Sequence, residues 1–477
     1  MKLTVATCHA ALQARDARFD GVFFTGVKTT GIYCRPVCPA RTPARASCVF
    51  FAAASAAEAA GFRPCLRCRP ELAPGFQGSS LAEAVLRRLQ EHAVAGTRLE
   101  DLDRDLGLGA RQVRRILAAE FGVTPLQVVQ TQRLLLAKQL LQETNQPIGG
   151  IALAAGFRSL RNFNALFLQR YRMAPRDCRR DGIKTGDGIR LRLDYRPPLA
   201  WDALLDYFRS RLVPGVEEIQ GCEYRRTAAL GNAAGWIRVW PHETKAALIV
   251  EISPSLSRHL GAVQSRVRRM FDLDARPEMI HETLAADPLL APVLARFPGL
   301  RVGGAWDTFE LAVRAILGQQ ISVIAATTLS GRLATRAGSV IETPFENLHR
   351  LAVTPEALSA LTVDDLCRLG LVRARAAALL HLAAAALRGG LDFPPGLDHE
   401  DAVARLVALP DIGPWTAHYI AMRALRFPDA FPAADLGLRK AVGGGQLASA
   451  RQTELRSDAW RPWRAYAATA LWKSLSP

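Results

Sequence analysis

Four cysteines in the N-terminal part of the chain are the side chains whose spacing most directly indicates chemistry. They form a Cys-x3-Cys pair and a Cys-x2-Cys pair about 26 residues apart, at Cys34, Cys38, Cys65 and Cys68. Four thiolates can surround one tetrahedral Zn²⁺, and the ion can hold together a segment too short to fold on its apolar core alone. Because four thiolates on a dication carry a net charge of about −2, a ligand sulfur stays nucleophilic without a separate base. The pattern predicts one zinc ion, in either a purely structural site or a site where one sulfur accepts a methyl group.

A second candidate is a carboxylate that follows a glycine-containing turn near the C-terminus. Residues 409–416 read LPDIGPWT and lie between helices predicted at 401–408 and 416–425. Glycine lets the backbone approach a phosphate, and the N–H groups that open the second helix can bind the anion. Asp435 comes 22 residues after Gly413, where another helix is predicted to begin. An aspartate there is most often a helix N-cap, but the same position keeps it ionised, as is needed to stabilise an oxocarbenium-like sugar or to activate water.

The residues around the cysteines resemble the Ada family. The segments 23–39, FFTGVKTTGIYCRPVCP, and 61–71, GFRPCLRCRPE, carry the resemblance. It implies that Cys34 accepts a methyl group from a methylphosphotriester in DNA, while the other three cysteines are its fellow zinc ligands. Methylation replaces an anionic thiolate with a neutral thioether, which eases the repulsion between the site and DNA phosphates. The resemblance therefore implies a damage-dependent switch.

The turn and Asp435 together resemble the helix-hairpin-helix-Gly/Pro-Asp signature of DNA glycosylases. The resemblance to the AlkA branch of that family extends through residues 305–320, 460–466 and 470–472. It implies that Asp435 is the catalytic carboxylate. It also implies that the hairpin contacts DNA through Ile412, Gly413 and Thr416.

The same resemblance implies a base-binding pocket with aromatic walls. Its residues would be Trp415, Tyr419 and Trp472, with Gln319 and Gln320 nearby. Stacked rings suit electron-poor alkylated purines such as 3-methyladenine and 7-methylguanine, whose positive charge is attracted to π faces. Gln320 stands where the best-known relatives have an apolar side chain that wedges into DNA. Trp415 stands where bifunctional relatives have a lysine that forms a Schiff base, which implies a monofunctional hydrolase with water as the acceptor.

An internal repeat lies between the two candidate sites. Residues 99–125 and 148–175 align, with Gly107 matching Gly156 and Pro125 matching Pro175. Each segment is predicted to form a helix, a glycine turn and a second helix, and a long helix over 124–143 joins them. This arrangement resembles the AraC-type transcription factor domain, and the alternative is an ordinary pair of helical hairpins. The second helix of each unit is expected in the major groove, where arginine suits guanine and asparagine suits adenine. The candidate DNA contacts are Arg111, Gln112, Arg114, Arg115, Arg158, Arg161, Asn162 and Asn164.

Several domains must position these residues, and a chain of 477 residues is long enough for three or four. We predict a multidomain protein, mainly α with α+β parts. The predicted units are a small four-cysteine zinc domain at 1–76, an all-α double helix-turn-helix domain at 79–180, a TBP-like α+β subdomain at 189–262 and an all-α HhH-GPD glycosylase domain at 263–477. Alternating residues predict strands at 189–195, around 236–240 and at 247–252, with an amphipathic helix at 201–212.

The net charge of +17 is concentrated in the first part of the chain. Residues 1–180 contain 26 Lys and Arg against 13 Asp and Glu, whereas the remaining residues contain 35 against 31. This excess favours nucleic acid as a partner of the first two domains.

We expect double-stranded DNA and RNA polymerase as partners, a monomer, a cytoplasmic location and no membrane association. No cysteine follows Cys367, so no iron–sulfur cluster is expected.

The two resemblances imply an alkylation-response protein with two activities. Cys34 would take methyl groups from phosphotriesters and convert the first half into a transcriptional activator. Asp435 would drive hydrolysis of the N-glycosidic bond of alkylated purines, as in DNA-3-methyladenine glycosylase II. The alternatives are a DNA-binding regulator whose glycosylase half only binds lesions, and a glycosylase whose zinc site is purely structural. The tetrapeptide PCHR of a second Ada methyltransferase does not occur, so repair of O6-alkylguanine is not expected.

Overall fold

The computed structural model describes residues 3–75, 81–95, 108–179, 188–393, 397–444 and 446–475. In these ranges the chain is largely helical and contains two sheets, one of four strands and one of five. The predicted multidomain fold, mainly α with α+β parts, is confirmed. No described helix combines the length and the apolar composition that a membrane span requires.

The four-stranded sheet belongs to the N-terminal segment that carries the cysteine pairs. Its elements are α1 (Val5–Ala14), β1 (Phe24–Val27), β2 (Ile32–Cys34), β3 (Cys48–Phe51), α2 (Ala54–Ala59) and β4 (Arg63–Pro64). The strand order is β3-β1-β2-β4, and β2 and β4 are parallel. Gly31 closes the β1–β2 hairpin with a φ of 65°, a conformation that glycine adopts without strain. Because β2 and β4 are neighbours, the two cysteine pairs at their C-terminal ends lie side by side.

A group of helices follows this sheet. They are α3 (Leu81–Ala95), α4 (Ala110–Phe121), α5 (Pro125–Glu143), α6 (Ile148–Ala154), α7 (Leu160–Tyr171) and α8 (Pro175–Cys178). The long helix α5 begins where the sequence predicts, because Thr124 and Gln127 form a capping box and Pro125 occupies the first helical position. The predicted first helix of the repeat and its glycine, Gly107, lie outside the described residues. The second repeat forms two helices, α6 and α7, joined by a turn at Gly156.

The five-stranded sheet starts the C-terminal half. Its elements are β5 (Ile189–Asp194), α9 (Trp201–Arg209), β6 (Glu217–Gln220), β7 (Glu223–Leu230), β8 (Ala233–Pro241) and β9 (Ala247–Ile252). The sheet is antiparallel in the order β5-β9-β8-β7-β6. The sequence does not predict β6 and β7, since charged residues such as Arg226 interrupt their apolar pattern. Arg226 is nevertheless buried, because its guanidinium pairs with Glu310 at 2.9 Å.

Helices form the rest of the chain. They are α10 (Leu260–Met270), α11 (Pro277–Leu284), α12 (Ala291–Arg296), α13 (Thr308–Leu317), α14 (Val323–Ala337), α15 (Pro355–Ser359), α16 (Val363–Arg368), α17 (Arg373–Leu387), α18 (His399–Val407), α19 (Pro414–Arg423), α20 (Leu436–Val442), α21 (Ala450–Ser457) and α22 (Arg464–Ser474). Their shared core includes Ile316, Leu379, Ile420, Trp460 and Leu471. Helices α18 and α19 begin two residues earlier than predicted, because Asp398 caps the first and Gly413–Pro414 starts the second.

One apolar core spans the predicted boundary between the helix-turn-helix region and the five-stranded sheet. It contains Leu140 and Phe163 from the helices together with Leu191 and Val250 from the sheet. Buried polar contacts also join the N-terminal sheet to the C-terminal half. Arg196 donates hydrogen bonds to the carbonyl oxygens of Asp20 (2.7 Å), Gly75 (2.9 Å) and Asp274 (2.8 Å). The described segments therefore pack against one another instead of standing apart on linkers.

Candidate zinc centre and active site

The four predicted zinc ligands lie together. Cys34 ends β2, Cys38 lies in the following loop, and Cys65 and Cys68 lie in the turn after β4. Their Sγ atoms all lie within 4.8 Å of one another. Four sulfurs at about 2.3 Å from a tetrahedral Zn²⁺ are about 3.8 Å apart, so the cluster fits one such ion. Cys34 is half-buried, whereas the other three cysteines are buried. Cys34 is therefore the least buried residue of the four.

Backbone groups support the cysteine cluster. The Arg35 N–H donates to the Cys68 Sγ at 3.3 Å, and the Arg67 N–H donates to the Cys65 Sγ at 3.4 Å. Hydrogen bonds to sulfur favour the thiolate form that a metal ligand requires. The local backbone thus holds the sulfurs in place around the centre of the cluster.

Asp435 lies at the N-terminus of α20 and accepts three hydrogen bonds. Its Oδ1 accepts from the Leu438 N–H at 3.1 Å, which makes it the N-cap. The indole N–H of Trp472 donates to Oδ1 at 2.8 Å, and that of Trp415 donates to Oδ2 at 3.0 Å. Donors and the positive end of the helix dipole favour a charged carboxylate here. Oδ1 caps the helix, and each oxygen accepts a hydrogen bond from one indole. Asp435 can therefore cap α20 and also act as a catalytic carboxylate.

The predicted aromatic residues surround this carboxylate. The rings of Trp415 and Tyr419 stack with centroids 5.3 Å apart and planes tilted by 14°. Trp472 meets Tyr419 edge to face at 6.5 Å. Gly437 makes room for this arrangement, because a Cβ there would lie 3.1 Å from both the Asp435 Oδ1 and the Trp472 Cδ1. The arrangement offers flat aromatic faces beside an anionic group.

The hairpin before α19 has an open stretch of backbone at Gly413. Ile412 and Thr416 have buried side chains, so a DNA contact by either residue would use its backbone. Pro414 has no N–H, and the first intrahelical hydrogen bond runs from the Ala417 N–H to the Gly413 carbonyl at 3.0 Å. The backbone N–H groups of Trp415 and Thr416 precede this first bond and are not part of the intrahelical series. A Cβ at Gly413 would meet nothing within 4 Å, so this stretch of backbone is open to an approaching phosphate.

The two glutamines predicted near the pocket have different surroundings. The Gln319 side chain donates to the Thr416 Oγ1 at 3.2 Å and to the Asp411 carbonyl at 3.4 Å, so it braces the hairpin. Gln320 is exposed in the turn between α13 and α14, with a φ of 56°. The structure brings Trp415, Tyr419 and Trp472 together at Asp435, while Gln319 and Gln320 lie at the hairpin and in the turn.

The candidate DNA contacts of the helix-turn-helix region are exposed. On α4, Val113 and Leu117 face the core, whereas Arg111, Gln112, Arg114 and Arg115 are exposed. On α7, Phe163 and Phe167 are buried. Arg161, Asn162 and Asn164 on that helix are exposed, as is Arg158 just before it. Each second helix therefore buries its apolar face and presents the predicted polar face.

Three polar residues beside the aromatic rings are not predicted from the sequence. The Tyr207 hydroxyl lies 3.4 Å from that of Tyr419. The Arg423 guanidinium lies 4.0 Å from the ring centroid of Tyr207, and that of Arg211 lies 4.4 Å from the same centroid. Tyr207 and Arg211 come from α9 and the residues after it, about 200 positions before Tyr419, so local spacing contains no signal for them.

Four family models match successive parts of the chain. They are "Metal binding domain of Ada" at 7–71, "Helix-turn-helix domain" at 102–181, "AlkA N-terminal domain" at 190–307 and "HhH-GPD superfamily base excision DNA repair protein" at 313–465. These matches confirm the Ada, helix-turn-helix and AlkA resemblances. The cysteine cluster and the Ada match together support zinc as the metal.

Two relatives and one solved structure also resemble the chain over its Ada-type and AlkA-type parts or over its AlkA-type part alone. The "Probable bifunctional transcriptional activator/DNA repair enzyme AlkA" of Mycobacterium tuberculosis (strain ATCC 25618 / H37Rv) is 38% identical, covering 98% of this chain and 96% of that protein. The "DNA-3-methyladenine glycosylase 2" of Escherichia coli (strain K12) is 33% identical, covering 59% of this chain and 95% of that protein. A solved 3-methyladenine DNA-glycosylase from Archaeoglobus fulgidus superposes with a TM-score of 0.53 at 25% identity, covering 59% of this chain and 97% of that one. The chain thus belongs to the AlkA family, and in it an Ada-type metal-binding domain and a helix-turn-helix domain precede an AlkA-type HhH-GPD domain.

Proposed function

We propose that this protein is a bifunctional alkylation-response protein. Its C-terminal half is a monofunctional DNA glycosylase of the DNA-3-methyladenine glycosylase II type, which hydrolyses the N-glycosidic bond of alkylated purines. Its N-terminal half transfers a methyl group from a DNA methylphosphotriester to Cys34 and acts as a transcriptional activator. The name of the Mycobacterium tuberculosis relative, similar over nearly the whole chain, supports both activities.

The observation that carries the glycosylase proposal is the position of Asp435. Its carboxylate is held by two indole N–H groups at 2.8 and 3.0 Å, beside stacked aromatic rings and behind a hairpin with open backbone. A base flipped from the duplex can stack on the rings while its sugar lies near the carboxylate. The C1′–N bond breaks with its electron pair going to the base, and the fixed negative charge of Asp435 stabilises the cationic sugar. Water then adds to C1′ and releases a proton.

Cys34 is the proposed methyl acceptor. A bound Zn²⁺ would be held by Cys34, Cys38, Cys65 and Cys68, and it would keep the Cys34 sulfur in its thiolate form at neutral pH. The Cys34 Sγ attacks the methyl carbon of the phosphotriester. A C–S bond forms, the C–O bond breaks, and the DNA phosphodiester leaves with the electron pair as an anion. The greater exposure of Cys34 among the four cysteines supports this choice of sulfur.

The helix-turn-helix region would bind double-stranded DNA. The exposed faces of α4 and α7 support the entry of both helices into the major groove. Activation implies contact with RNA polymerase, and we propose that the protein acts as a monomer in the cytoplasm. Loss of one negative charge at the zinc centre on methylation would strengthen DNA binding.

Release of 3-methyladenine from methylated duplex DNA tests the glycosylase. The full-length protein is expected to release the base, whereas Asp435→Asn, which keeps an N-cap side chain, is expected to lose at least about a hundredfold in rate because the charge is gone. Binding of both proteins to DNA serves as the control. If both bind DNA and neither releases base, the protein is a regulator whose glycosylase half only binds lesions.

Methyl transfer has a separate test. Mass spectrometry of the protein after exposure to DNA that contains methylphosphotriesters should find one added methyl group, on Cys34. Cys48→Ser is a matched control, since Cys48 lies in β3 outside the cluster and its loss should leave the transfer intact. An unmodified Cys34 in protein that contains zinc would make the zinc site purely structural.

A further inference from the structure

The apex of the hairpin before α19 is a tight turn that contains an aspartate. The Ile412 N–H donates to the Leu409 carbonyl at 3.3 Å, and Pro410 and Asp411 lie between them. Asp411 has a φ of 64°, and a positive φ at this third position is typical of a type II turn. Glycine or asparagine is preferred there, because a Cβ makes the left-handed conformation costly. The turn therefore contains a residue that its backbone geometry does not favour.

Contacts with two neighbouring segments hold Asp411 in place. Its Oδ2 lies 2.9 Å from the His381 Nδ1 on α17, and the imidazole is the donor because an ionised carboxylate only accepts. The Asp411 carbonyl accepts from the Gln319 side chain at 3.4 Å. Arg375, also on α17, donates to the Gln319 carbonyl at 2.5 Å. Asp411 thus joins the hairpin to α17 and to the turn between α13 and α14.

The charge of Asp411 opposes the role proposed for the hairpin. Gly413, where the backbone is open to a DNA phosphate, follows Asp411 by two residues. Two residues separate Cα atoms by at most about 7 Å, which is less than the Debye length of about 8 Å at physiological ionic strength. The Asp411 side chain is 45% exposed, so its charge repels an approaching phosphate. A benefit elsewhere has to offset this repulsion.

The contact between Asp411 and His381 supplies that benefit. It fixes the side chain, so the residue stays in the left-handed conformation although its Cβ disfavours it. This conformation sets the direction in which the chain leaves the turn and enters α19 at Gly413. A hairpin that already has its bound shape binds more tightly, since binding then includes no cost of ordering it.

We infer that Asp411 and His381 are positioning residues of the glycosylase half, which hold the hairpin in the shape that fits a phosphate of the DNA backbone. The inference rests on the proposed glycosylase function. The two residues act through the shape of the hairpin and not through contact with the base. They therefore determine how tightly the DNA is held, whereas the rate of bond breakage in bound DNA depends on Asp435.

Single-turnover release of 7-methylguanine from duplex DNA by the full-length protein tests this role. The half-saturating protein concentration reports the binding of DNA, and the maximal rate reports the chemical step. Three neutral substitutions of Asp411 differ in what they keep. Asp411→Asn keeps the acceptor for His381 and tolerates the left-handed conformation, Asp411→Gly keeps only the conformation, and Asp411→Ala keeps neither.

The three variants should differ in binding and not in maximal rate. Asp411→Asn should lower the half-saturating concentration about threefold, because the repulsion is gone and the shape is kept. Asp411→Ala should have a half-saturating concentration about tenfold higher than Asp411→Asn, because the left-handed conformation is lost. Asp411→Gly should lie between them. The maximal rate should stay within about twofold in all three, since Asp435 is unchanged.

A second substitution tests the contact itself. His381→Ala should raise the half-saturating concentration about fivefold, because Asp411 is then no longer fixed. The same substitution in an Asp411→Gly background should have no effect, since the contact is already absent. His281→Ala, exposed on α11, is the control and should change neither quantity.

The outcomes separate this inference from the proposal on which it rests. If the unaltered protein releases no base, the proposed glycosylase function fails and the inference fails with it. The glycosylase remains and the inference is overturned if Asp411→Ala and Asp411→Asn bind equally, if His381→Ala acts equally in both backgrounds, or if the loss falls on the maximal rate. Melting temperatures equal to that of the unaltered protein would show that the variants are folded.

Discussion

At the scale of single residues, the two tryptophans beside Asp435 have a polar role as well as an aromatic one. A π face suits an electron-poor base, and the indole N–H of each ring also binds the carboxylate. Sequence alone predicts the first role, since aromatic residues at these positions match a pocket. It does not predict the second, because the donor direction depends on how α19, α20 and α22 pack.

Trp472→Phe separates these two roles. The phenyl ring keeps an aromatic face but removes the 2.8 Å donor to Asp435. A hydrogen bond to a charged group contributes about 1.5–3 kcal/mol, so release of 3-methyladenine should fall about tenfold to a hundredfold. Trp240→Phe, on β8 among the arginines of the five-stranded sheet, is the matched control. An unchanged release rate in Trp472→Phe would show that the indole acts only as a stacking surface.

Two residues beside the aromatic rings, Tyr207 and Arg211, show why part of the site could not be predicted. Trp415, Tyr419 and Asp435 lie within about 20 positions of one another and share a recognisable local pattern. Tyr207 and Arg211 reach the same pocket from a different sheet-and-helix unit, and only the docking of α9 against α19 brings them there. A contact of this kind leaves no periodicity in the sequence.

At the scale of elements, a capping residue made the start of α5 predictable, whereas α18 begins two residues before its predicted start although Asp398 caps it. Thr124 and Pro125 fix the start of α5, and the strand β9 lies where the alternation predicts. The strands β6 and β7 were not predictable from the sequence. A charged residue such as Arg226 is expected at the surface, and its burial depends on a distant partner, Glu310. Burial of paired charges is decided by tertiary contacts, which residue pattern does not contain.

A buried carboxyl group joins α2 to α5 and α7. Glu58 accepts hydrogen bonds from Tyr33 (3.0 Å) and Thr131 (2.9 Å), and Tyr171 lies 3.5 Å away. Burial raises the pKa of Glu58 from its usual 4.5 to about 7, although its hydrogen bonds oppose the change. The folded protein therefore binds this proton more tightly than the unfolded chain. The resulting stabilisation is complete below pH about 4.5 and is lost as the pH rises through about 7.

Glu58→Gln should remove this pH dependence. Glutamine keeps an acceptor for the hydroxyl groups and cannot ionise, so the variant should melt several degrees higher than the unaltered protein at pH about 8, on the order of 2 kcal/mol. At pH about 5 the two proteins should melt within about one degree of each other. Glu120→Gln, exposed on α4, is the control and should show no such difference. Equal melting temperatures at both pH values would mean that Glu58 is ionised without cost.

At the scale of the whole molecule, the residue next to the proposed methyl acceptor joins the two halves. Arg35 is 4% exposed and pairs with Asp20 in the N-terminal segment and with Asp194 on β5, the latter at 2.9 Å. Domain order was predictable from the motifs, but this contact was not, since 159 positions separate Arg35 from Asp194. The zinc centre and the first strand of the C-terminal half are thus held by one guanidinium.

Asp194→Asn tests how much this contact contributes to the stability of the protein and of its zinc centre. Removing one partner of a buried charge is strongly destabilising, so the variant should lose about 3 kcal/mol of stability and melt at a lower temperature. Release of zinc to a chelator should also become faster, because Arg35 follows the ligand Cys34 directly. Asp364→Asn removes a carboxylate from an exposed pair with Arg373 and should have a much smaller effect. Unchanged melting and zinc release in Asp194→Asn would indicate that the halves are stable independently.

The apolar core shared by the helix-turn-helix region and the five-stranded sheet has a consequence for the life of the protein in the cell. A protein whose parts unfold together is degraded as a whole, so damage to one region removes the other as well. Each copy of the proposed methyl acceptor works once, whereas each copy of the proposed glycosylase can turn over many times. Because the two parts share this core, the proposed methyl acceptor and the proposed glycosylase are present in equal numbers and are degraded together.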